Sequence, residues 1–301
     1  MGHAHGGGLA DHRGRLGVVL AITSTVLVVE VVGALVSGSL ALLADAAHML
    51  TDVAGLTLGL VAAMLARRPP TSQRTWGYRR AEILGAAAQA GLLLAVGVYV
   101  LVEAVRRLFT PPDVTSSAML VFGLVGLLGN SIGLLVLARG RDADMNMRAA
   151  FLEVVNDALG SVAVLVAAVV IATTGWTRAD AVASLVIGVL IVPRTVRLLR
   201  ETGHVLLEST PAGLDLDAVR ARLLAPEHVL EVHDLHASQV ATGLPVLTAH
   251  VVVADACFND GHIPRLLDEL QTCLHDEFDV EHSTIQFEAR SHGEHEHDTH
   301  A

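Results

Sequence analysis

The chain has no lysine: all 20 of its basic residues are arginine, and charged residues make up only 17% of its 301 positions. Aromatic residues make up only 3%, and there are two cysteines, Cys257 and Cys273. Two cysteines exclude the disulfide framework of a small secreted protein. The shortage of charge, with 52% hydrophobic residues and a mean hydropathy of +0.54, excludes an ordinary soluble protein and a disordered chain.

Long apolar runs account for this composition. A membrane-spanning helix needs about 20 predominantly apolar residues, and an open chain can cross lipid only as helices, whose backbone groups are satisfied internally. The sequence therefore predicts a polytopic α-helical membrane protein with six transmembrane helices. We place them at about 16–37, 40–66, 82–104, 117–138, 149–173 and 180–199.

The arginines near the ends of these runs predict the orientation, because cytoplasmic loops carry an excess of positive charge. Thirteen arginines fall on the side that holds both termini, against three on the other side. Both termini are therefore expected in the cytoplasm. The first helix lacks a small-residue cleavage pattern, so no cleavable signal is expected, and the short loops favour a multi-pass protein of a bacterial inner membrane.

Charge and histidine are concentrated at the C-terminal end. Residues 203–301 have a net charge of -14, whereas residues 1–202 have +3, and 12 of the 16 histidines lie at or beyond His204. An acidic segment repels nucleic acid and attracts cations. We therefore expect divalent metal cations and the lipid bilayer as partners, and no nucleic acid.

The segment after Glu201 has the pattern of a small soluble domain. Helical periodicity at 215–224 precedes two alternating strands at 229–240 and 244–253, and a second helix at 263–275 precedes a strand at 283–287. The order α-β-β-α-β predicts an α+β ferredoxin-like domain. The expected domains are a His-containing N-terminus (1–15), a six-helix membrane domain (16–202), this metal-binding domain (203–290) and a disordered His/acid-rich tail (291–301).

Ionisable residues at membrane depth are costly and mark functional sites. His48 and Asp52 are spaced i, i+4 on the second helix, and Glu153 and Asp157 have the same spacing on the fifth. Asp45, one turn before His48, is a candidate auxiliary ligand. One such pair could equally be a helix cap or an interhelical hydrogen bond, but two pairs favour a divalent-cation site of one imidazole and three carboxylates.

The remaining polar residues of the membrane domain have simpler explanations. Gly129-Asn130-Ser131-Ile132-Gly133 fits the G-x-S-x-G pattern of serine hydrolases, but it lies within a helix rather than at a strand-to-helix turn. Its glycines share a narrow face with Gly123 and Gly126, which favours close helix packing. We expect interfacial or interhelical contacts for a second group: Glu30, Glu82, Asn130 and Asp180.

Four segments of the chain carry a family resemblance: Ala44–Asp52, Arg74–Glu82, Ala150–Val162 and Val232–His236. Together they resemble the cation diffusion facilitator family, and the resemblance runs from the first helix to about Arg290. It implies a homodimeric cation/proton antiporter, not an enzyme, with a cytoplasmic metal-binding domain, zinc as the commonest substrate and efflux as the usual direction.

Carried over by position, the family's transport site is His48, Asp52, Glu153 and Asp157. Zinc-transporting relatives usually have histidine where this chain has Glu153, and a third carboxylate weakens the preference for Zn²⁺ over harder cations. We expect Zn²⁺ as the substrate, with Co²⁺, Cd²⁺, Fe²⁺ or Mn²⁺ as alternatives, and protons as the counter-ion.

The resemblance also implies metal ligands in the C-terminal domain, where Zn²⁺ is a candidate regulatory ion. They are His233, His236, His250, His282 and Glu288. Each histidine alone could be an ordinary surface residue, and His262 is a weaker candidate. The alternative function is a membrane-embedded metal sensor or receptor without transport, which would not need paired ligands at membrane depth.

Overall fold

The computed structural model describes residues 6–66, 68–138 and 145–292, so the ends of the predicted His-rich termini, 1–5 and 293–301, lie outside the described residues. Six long helices come first, in the predicted order. They are α1 (Gly6–Ser37), α2 (Leu40–Ala66), α3 (Ala81–Phe109), α4 (Ser116–Ala138), α5 (Met145–Thr174) and α6 (Arg178–Leu206).

Among the described residues, five stretches are long and apolar enough to cross a membrane: Gly17–Ser37, Ala81–Phe109, Ser116–Ala138, Phe151–Thr174 and Arg178–Leu206. The remaining long helix, α2, has 27 residues and carries Asp45, His48 and Asp52. Many large apolar side chains of these helices are exposed, as on Leu35, Val102 and Leu135. Lipid would cover such side chains, which confirms the predicted helical membrane domain.

The chain divides into two compact units. One comprises Met1–Leu60 with Ala86–Leu199, and the other comprises Val61–Gly85 with Arg200–Ala301. The first unit contains most of the six helices, with a core built mainly of alanines and of isoleucine, valine and leucine side chains of α2, α3, α5 and α6. The segment between α2 and α3 belongs to the second unit, which a division by hydropathy alone does not predict.

Glycines allow α4 to pack closely against α1 and α5. A Cβ added at Gly129 would lie 2.2 Å from Val26 Cγ2 of α1, and one added at Gly133 would lie 3.2 Å from Val154 Cγ1 of α5. The glycine face predicted for α4 is therefore a helix-packing surface.

Asp180, at the start of α6, caps a different helix. Its carboxylate accepts hydrogen bonds from the backbone N–H groups of Leu40 (2.9 Å) and Ala41 (3.1 Å) and from the Ser39 hydroxyl (2.5 Å). Arg107 Nη1 lies 3.6 Å from Asp180 Oδ2. The interhelical contact expected for Asp180 is confirmed, and its target is the N-terminus of α2, where free N–H groups favour an acceptor.

The C-terminal elements follow the predicted order. They are α7 (Leu216–Leu223), β1 (Val229–Ala241), β2 (Leu244–Val253), a single 3-10 turn (Asp255–Phe258), α8 (His262–Phe278) and β3 (His282–Ala289). The sheet order is β1-β2-β3, with β1 antiparallel and β3 parallel to β2. Apolar side chains of the sheet pack against α7 and α8 around Leu247, Leu270 and Leu274.

A bulge in β1 sets the side-chain directions near its first histidines. His233 is opposite His250 and His236 is opposite Thr248, so three steps along β1 match two along β2. Asp234 lies inside this irregularity with a left-handed φ of 46°. An extra residue in one strand redirects its side chains, and this bulge sets the direction of the Asp234 carboxylate.

Candidate metal centres

The structure brings together the four residues predicted for the membrane site. The Nε2 atom of His48 lies 4.0 Å from Asp52 Oδ2, 3.9 Å from Glu153 Oε1 and 3.7 Å from Asp157 Oδ1. Ligand atoms of His48, Asp52 and Asp157 all lie within 4.8 Å of one another. The i, i+4 spacing on α2 and on α5 places both pairs on facing helix surfaces.

Several polar atoms of this cluster are buried without a hydrogen-bond partner: His48 Nδ1, Asp52 Oδ2 and Asp157 Oδ1. A buried polar atom normally has a partner, because leaving it unpaired costs about 1–3 kcal/mol and more for a charged group. Two unpaired carboxylate oxygens near one imidazole nitrogen form a donor set suited to a divalent cation.

Glu153 differs from the other three residues because it already has a cationic partner. Both of its oxygens accept hydrogen bonds from Arg194 of α6, at 2.8 Å each. Such a two-point contact between guanidinium and carboxylate is strong and directional. In the sequence Arg194 is one of the thirteen arginines on the side that holds both termini, and its position gives no sign of a contact 41 residues away.

Asp45, the candidate auxiliary ligand, lies in a second buried cluster. Its Oδ2 atom is 3.2 Å from Ser161 Oγ, and the same hydroxyl is 3.5 Å from Glu30 Oε1 and accepts a hydrogen bond from Asn130 (3.3 Å). All four side chains are at most 1% exposed. The interhelical contacts expected for Glu30 and Asn130 are thus present, and they converge on one serine.

In the C-terminal domain, three predicted ligands form a compact group. His233 Nε2 lies 3.1 Å from Glu288 Oε2, and His250 Nδ1 lies 2.7 Å from Glu288 Oε1. The two imidazole rings are 5.2 Å apart because their residues are direct partners on β1 and β2. Glu288 is buried, at 3% exposure, on the neighbouring strand β3. Two imidazoles and a carboxylate are typical Zn²⁺ ligands.

The structure places the other two predicted ligands elsewhere. His236 is largely exposed and contacts Asp234 (2.7 Å). His282 begins β3 and packs edge-on against Trp76, with ring centroids 4.9 Å apart. It precedes Glu288 by six residues of an extended strand, a separation of about 20 Å, so the two cannot bind one ion.

Asp234 is a residue that the sequence analysis missed. Its Oδ1 atom contacts His236 and its Oδ2 atom lies 3.5 Å from His250 Nε2. The sequence signal was the Asp between two histidines of one strand, but only the bulge turns its carboxylate toward them.

Two other candidate groups have ordinary structural surroundings. The Ser131 hydroxyl donates to Leu127 O of its own helix (2.6 Å), the usual arrangement of a helical serine. Cys257 and Cys273 are buried free cysteines. Burial raises the pKa of the Cys273 thiol, which keeps it protonated and unreactive at neutral pH.

The fold and the two clusters define a helical membrane protein with buried cation ligands and an appended α+β metal-binding domain. Comparison with known families agrees. Residues 16–207 match the cation efflux transmembrane domain, and residues 211–290 match the cation efflux protein cytoplasmic domain. The chain belongs to the cation efflux family, the cation diffusion facilitators. It is a multi-pass membrane protein for divalent metal cation efflux, and not an enzyme.

Similar proteins cover almost the whole chain. The metal cation efflux system protein CzcD of Cupriavidus metallidurans is 43% identical over 291 residues, 95% of this chain and 90% of CzcD. The zinc transporter ZitB of Escherichia coli K12 is 40% identical over 277 residues, 91% of this chain and 87% of ZitB. A cadmium, cobalt and zinc/H(+)-K(+) antiporter of Bacillus velezensis is 32% identical over 294 residues, which are 97% of this chain and 93% of the antiporter.

Among solved structures, the metal-bound C-terminal domain of the CzcD transporter is 40% identical. The match covers 25% of this chain and 99% of the CzcD domain, with a TM-score of 0.23.

Proposed function

We propose that this chain is a proton-coupled antiporter that exports Zn²⁺ from the cytoplasm, with Co²⁺, Cd²⁺, Fe²⁺ or Mn²⁺ as further substrates. The observation that supports this most is the pair of buried, unpartnered oxygens, Asp52 Oδ2 and Asp157 Oδ1, beside His48 Nε2. A divalent cation would supply the missing partner for both. The name of ZitB supports zinc, and the name of the Bacillus antiporter supports zinc, cadmium and cobalt.

The proposed ligands of the transported ion are His48, Asp52 and Asp157, with Glu153 as the fourth. Glu153 is available to the ion to the extent that Arg194 releases it. Asp45 is not in this set, because its carboxylate contacts Ser161 instead.

The exchange of metal ions for protons follows from the free-energy cost of ionised groups in a medium of low dielectric constant. Without a metal ion, three carboxylates and an imidazole cannot all remain ionised there, so some hold protons that an arriving divalent cation displaces. When the site opens to the opposite side, protons at higher activity displace the cation in turn. The site must then alternate between the two sides, which requires α2 and α5 to move together relative to other helices.

We further propose that His233, His250 and Glu288 bind a regulatory Zn²⁺ in a homodimer, with Asp234 as an additional carboxylate near His250. Their contacts at 2.7–3.1 Å support this proposal, because ligand atoms this close together need little rearrangement to surround one ion. Filling this site would stabilise the sheet on which it lies, and it would report the metal concentration on the proposed cytoplasmic side.

Metal uptake into proteoliposomes tests the transport proposal. Wild type is expected to take up Zn²⁺ with opposite proton movement, and Asp157→Asn, which keeps the side-chain shape but removes a charged ligand, should abolish both. Asp113→Asn is the matched control, because Asp113 is exposed in the loop before α4. If no metal moves through wild type while a reference transporter works, the sensor function replaces this proposal.

A further inference from the structure

The cluster of Glu30, Asp45, Asn130 and Ser161 draws one side chain from each of α1, α2, α4 and α5. Glu30 and Asp45 are 0% and 1% exposed, yet the described part of the chain shows no arginine or histidine in an ion pair with either. The same part of the chain shows a cationic partner for Glu153 (Arg194) and for Asp180 (Arg107). The pair of Glu30 and Asp45 therefore has its charge uncompensated by the protein.

Hydrogen bonds do not compensate for the charges of Glu30 and Asp45 either. Ser161 accepts from Asn130 and has one hydroxyl hydrogen to donate, while both carboxyl groups lie within 3.2–3.5 Å of it. Glu30 Oε2 is buried with no hydrogen-bond partner. Two carboxyl groups that share one donor inside a membrane domain cannot both stay ionised and unpaired, so the pair holds a proton or another cation.

The surroundings favour a small ion that prefers oxygen ligands. A Cβ added at Gly126 would lie 2.2 Å from Glu30 Oε1, and one added at Gly160 would lie 2.2 Å from Asp45 Oδ1, so each carboxyl group is pressed against a helix backbone. The groups in this cluster offer oxygen atoms as ligands and no imidazole or thiolate, which Zn²⁺ would favour.

We propose that Glu30 and Asp45 form a second cation site, which holds the singly charged counter-ion of transport, a proton or an alkali-metal ion. The proposal rests on the proposed antiport function and assigns the counter-ion a place separate from the divalent ion.

The position of this site explains how the two ions would exclude each other. Asp45 lies one turn from His48 on α2, and Ser161 lies one turn from Asp157 on α5, so the two sites share both helices. The Asp157 carboxylate is close enough to interact electrostatically with Glu30 and Asp45, and its Oδ1 atom lies 3.7 Å from His48 Nε2. A divalent charge at His48 and Asp157 and a counter-ion at Glu30 would repel each other through a weakly screening interior. Binding of one would therefore promote release of the other.

The test uses the full-length protein with Glu30→Gln, which preserves shape and removes the charge. Zn²⁺ affinity is measured in detergent, and Zn²⁺ uptake is measured in proteoliposomes with either a pH gradient at equal K⁺ or a K⁺ gradient at equal pH. The matched control is Glu103→Gln, because Glu103 also lies on a membrane helix but is paired with Arg107 (3.1 Å).

Glu30→Gln is expected to bind Zn²⁺ with wild-type stoichiometry and an affinity within about threefold, and to lose about tenfold or more of its gradient-driven uptake. The gradient to which wild type responds identifies the ion. Glu103→Gln should behave as wild type in both assays.

Two results would overturn the second site while leaving transport intact. One is Zn²⁺ uptake by Glu30→Gln that still follows the gradient to which wild type responds. The other is a Zn²⁺ binding stoichiometry one ion lower in Glu30→Gln than in wild type, which would make Glu30 part of the metal site. Absence of any metal flux through wild type would overturn the proposed function and this inference together. If Glu30→Gln does not fold, Asp45→Asn removes the other carboxylate of the site, and unchanged gradient dependence in that variant would equally refute the proposal.

Discussion

Arg194→Gln is expected to tighten Zn²⁺ binding to the membrane site. In the structure the guanidinium of Arg194 holds both oxygens of Glu153, so a metal ion that uses Glu153 must first compete with an internal cation. Removing Arg194 frees the carboxylate and removes a positive charge near the ion. Tighter binding also slows release, so the maximal transport rate should fall as the affinity rises.

The size of the expected gain in Zn²⁺ affinity follows from the hydrogen bonds between Arg194 and Glu153. Two charge-assisted hydrogen bonds of 2.8 Å would each be worth about 1.5–3 kcal/mol if the pair were buried. Arg194 is 57% exposed and Glu153 is 24% exposed, so solvent screening reduces the expected contribution of the pair to about 1 kcal/mol. That corresponds to a gain of about fivefold in Zn²⁺ affinity.

Isothermal titration of full-length protein in detergent measures this gain. Arg197→Gln is the matched control, an exposed arginine on the same helix. The effect of Arg194→Gln should disappear in a Glu153→Gln background, since Arg194 acts through Glu153. Weaker Zn²⁺ binding by Arg194→Gln would refute the reasoning, because it would mean that Arg194 holds Glu153 in place as a ligand instead of competing for it.

Three further changes have definite expected outcomes. Glu153→His replaces a hard oxygen ligand by nitrogen, so competition uptake assays should show Zn²⁺ favoured more strongly over Mn²⁺, and an unchanged ratio would show that Glu153 is not a ligand. His250→Ala should remove most of the Zn²⁺-induced protection of β1 and β2 in hydrogen exchange. At a free Zn²⁺ concentration of 100 times the dissociation constant, binding stabilises wild type by about 2.7 kcal/mol. Equal protection in the variant would place the ion elsewhere. Asp180→Ala leaves the N-terminus of α2 and Arg107 without their partner, so thermal unfolding in detergent should show a loss of about 3 kcal/mol, whereas an unchanged midpoint would contradict the capping role.

Much of the architecture was predictable because hydrophobic periodicity is a local property. The membrane helices predicted from apolar runs agree with α2 at Leu40–Ala66 and with α4 at Ser116–Ala138, and the C-terminal strands agree with β1 and β2 to within about a residue. The i, i+4 pairs were predictable for the same reason, since spacing along one helix determines the face on which side chains lie. The predicted α-β-β-α-β order is confirmed.

Contacts between distant segments were not predictable in this way. An interfacial or interhelical contact was expected for Asp180, but nothing in the sequence identified its partner, the N-terminus of α2, 140 residues away. The family resemblance grouped His282 with Glu288, but the two residues lie near opposite ends of one extended strand. Asp234 faces its histidines because of a bulge that strand alternation does not foresee.

The amino-acid sequence by itself determined which segments enter a membrane, which helices carry the candidate ligands, and that His48, Asp52, Glu153 and Asp157 lie in two matching pairs. Only the tertiary structure decided which charges have partners: Glu153 has Arg194, whereas Glu30 and Asp45 share one serine hydroxyl. The physical reason is that composition and periodicity are set by neighbours in the chain. The compensation of a buried charge depends on which helices meet around it.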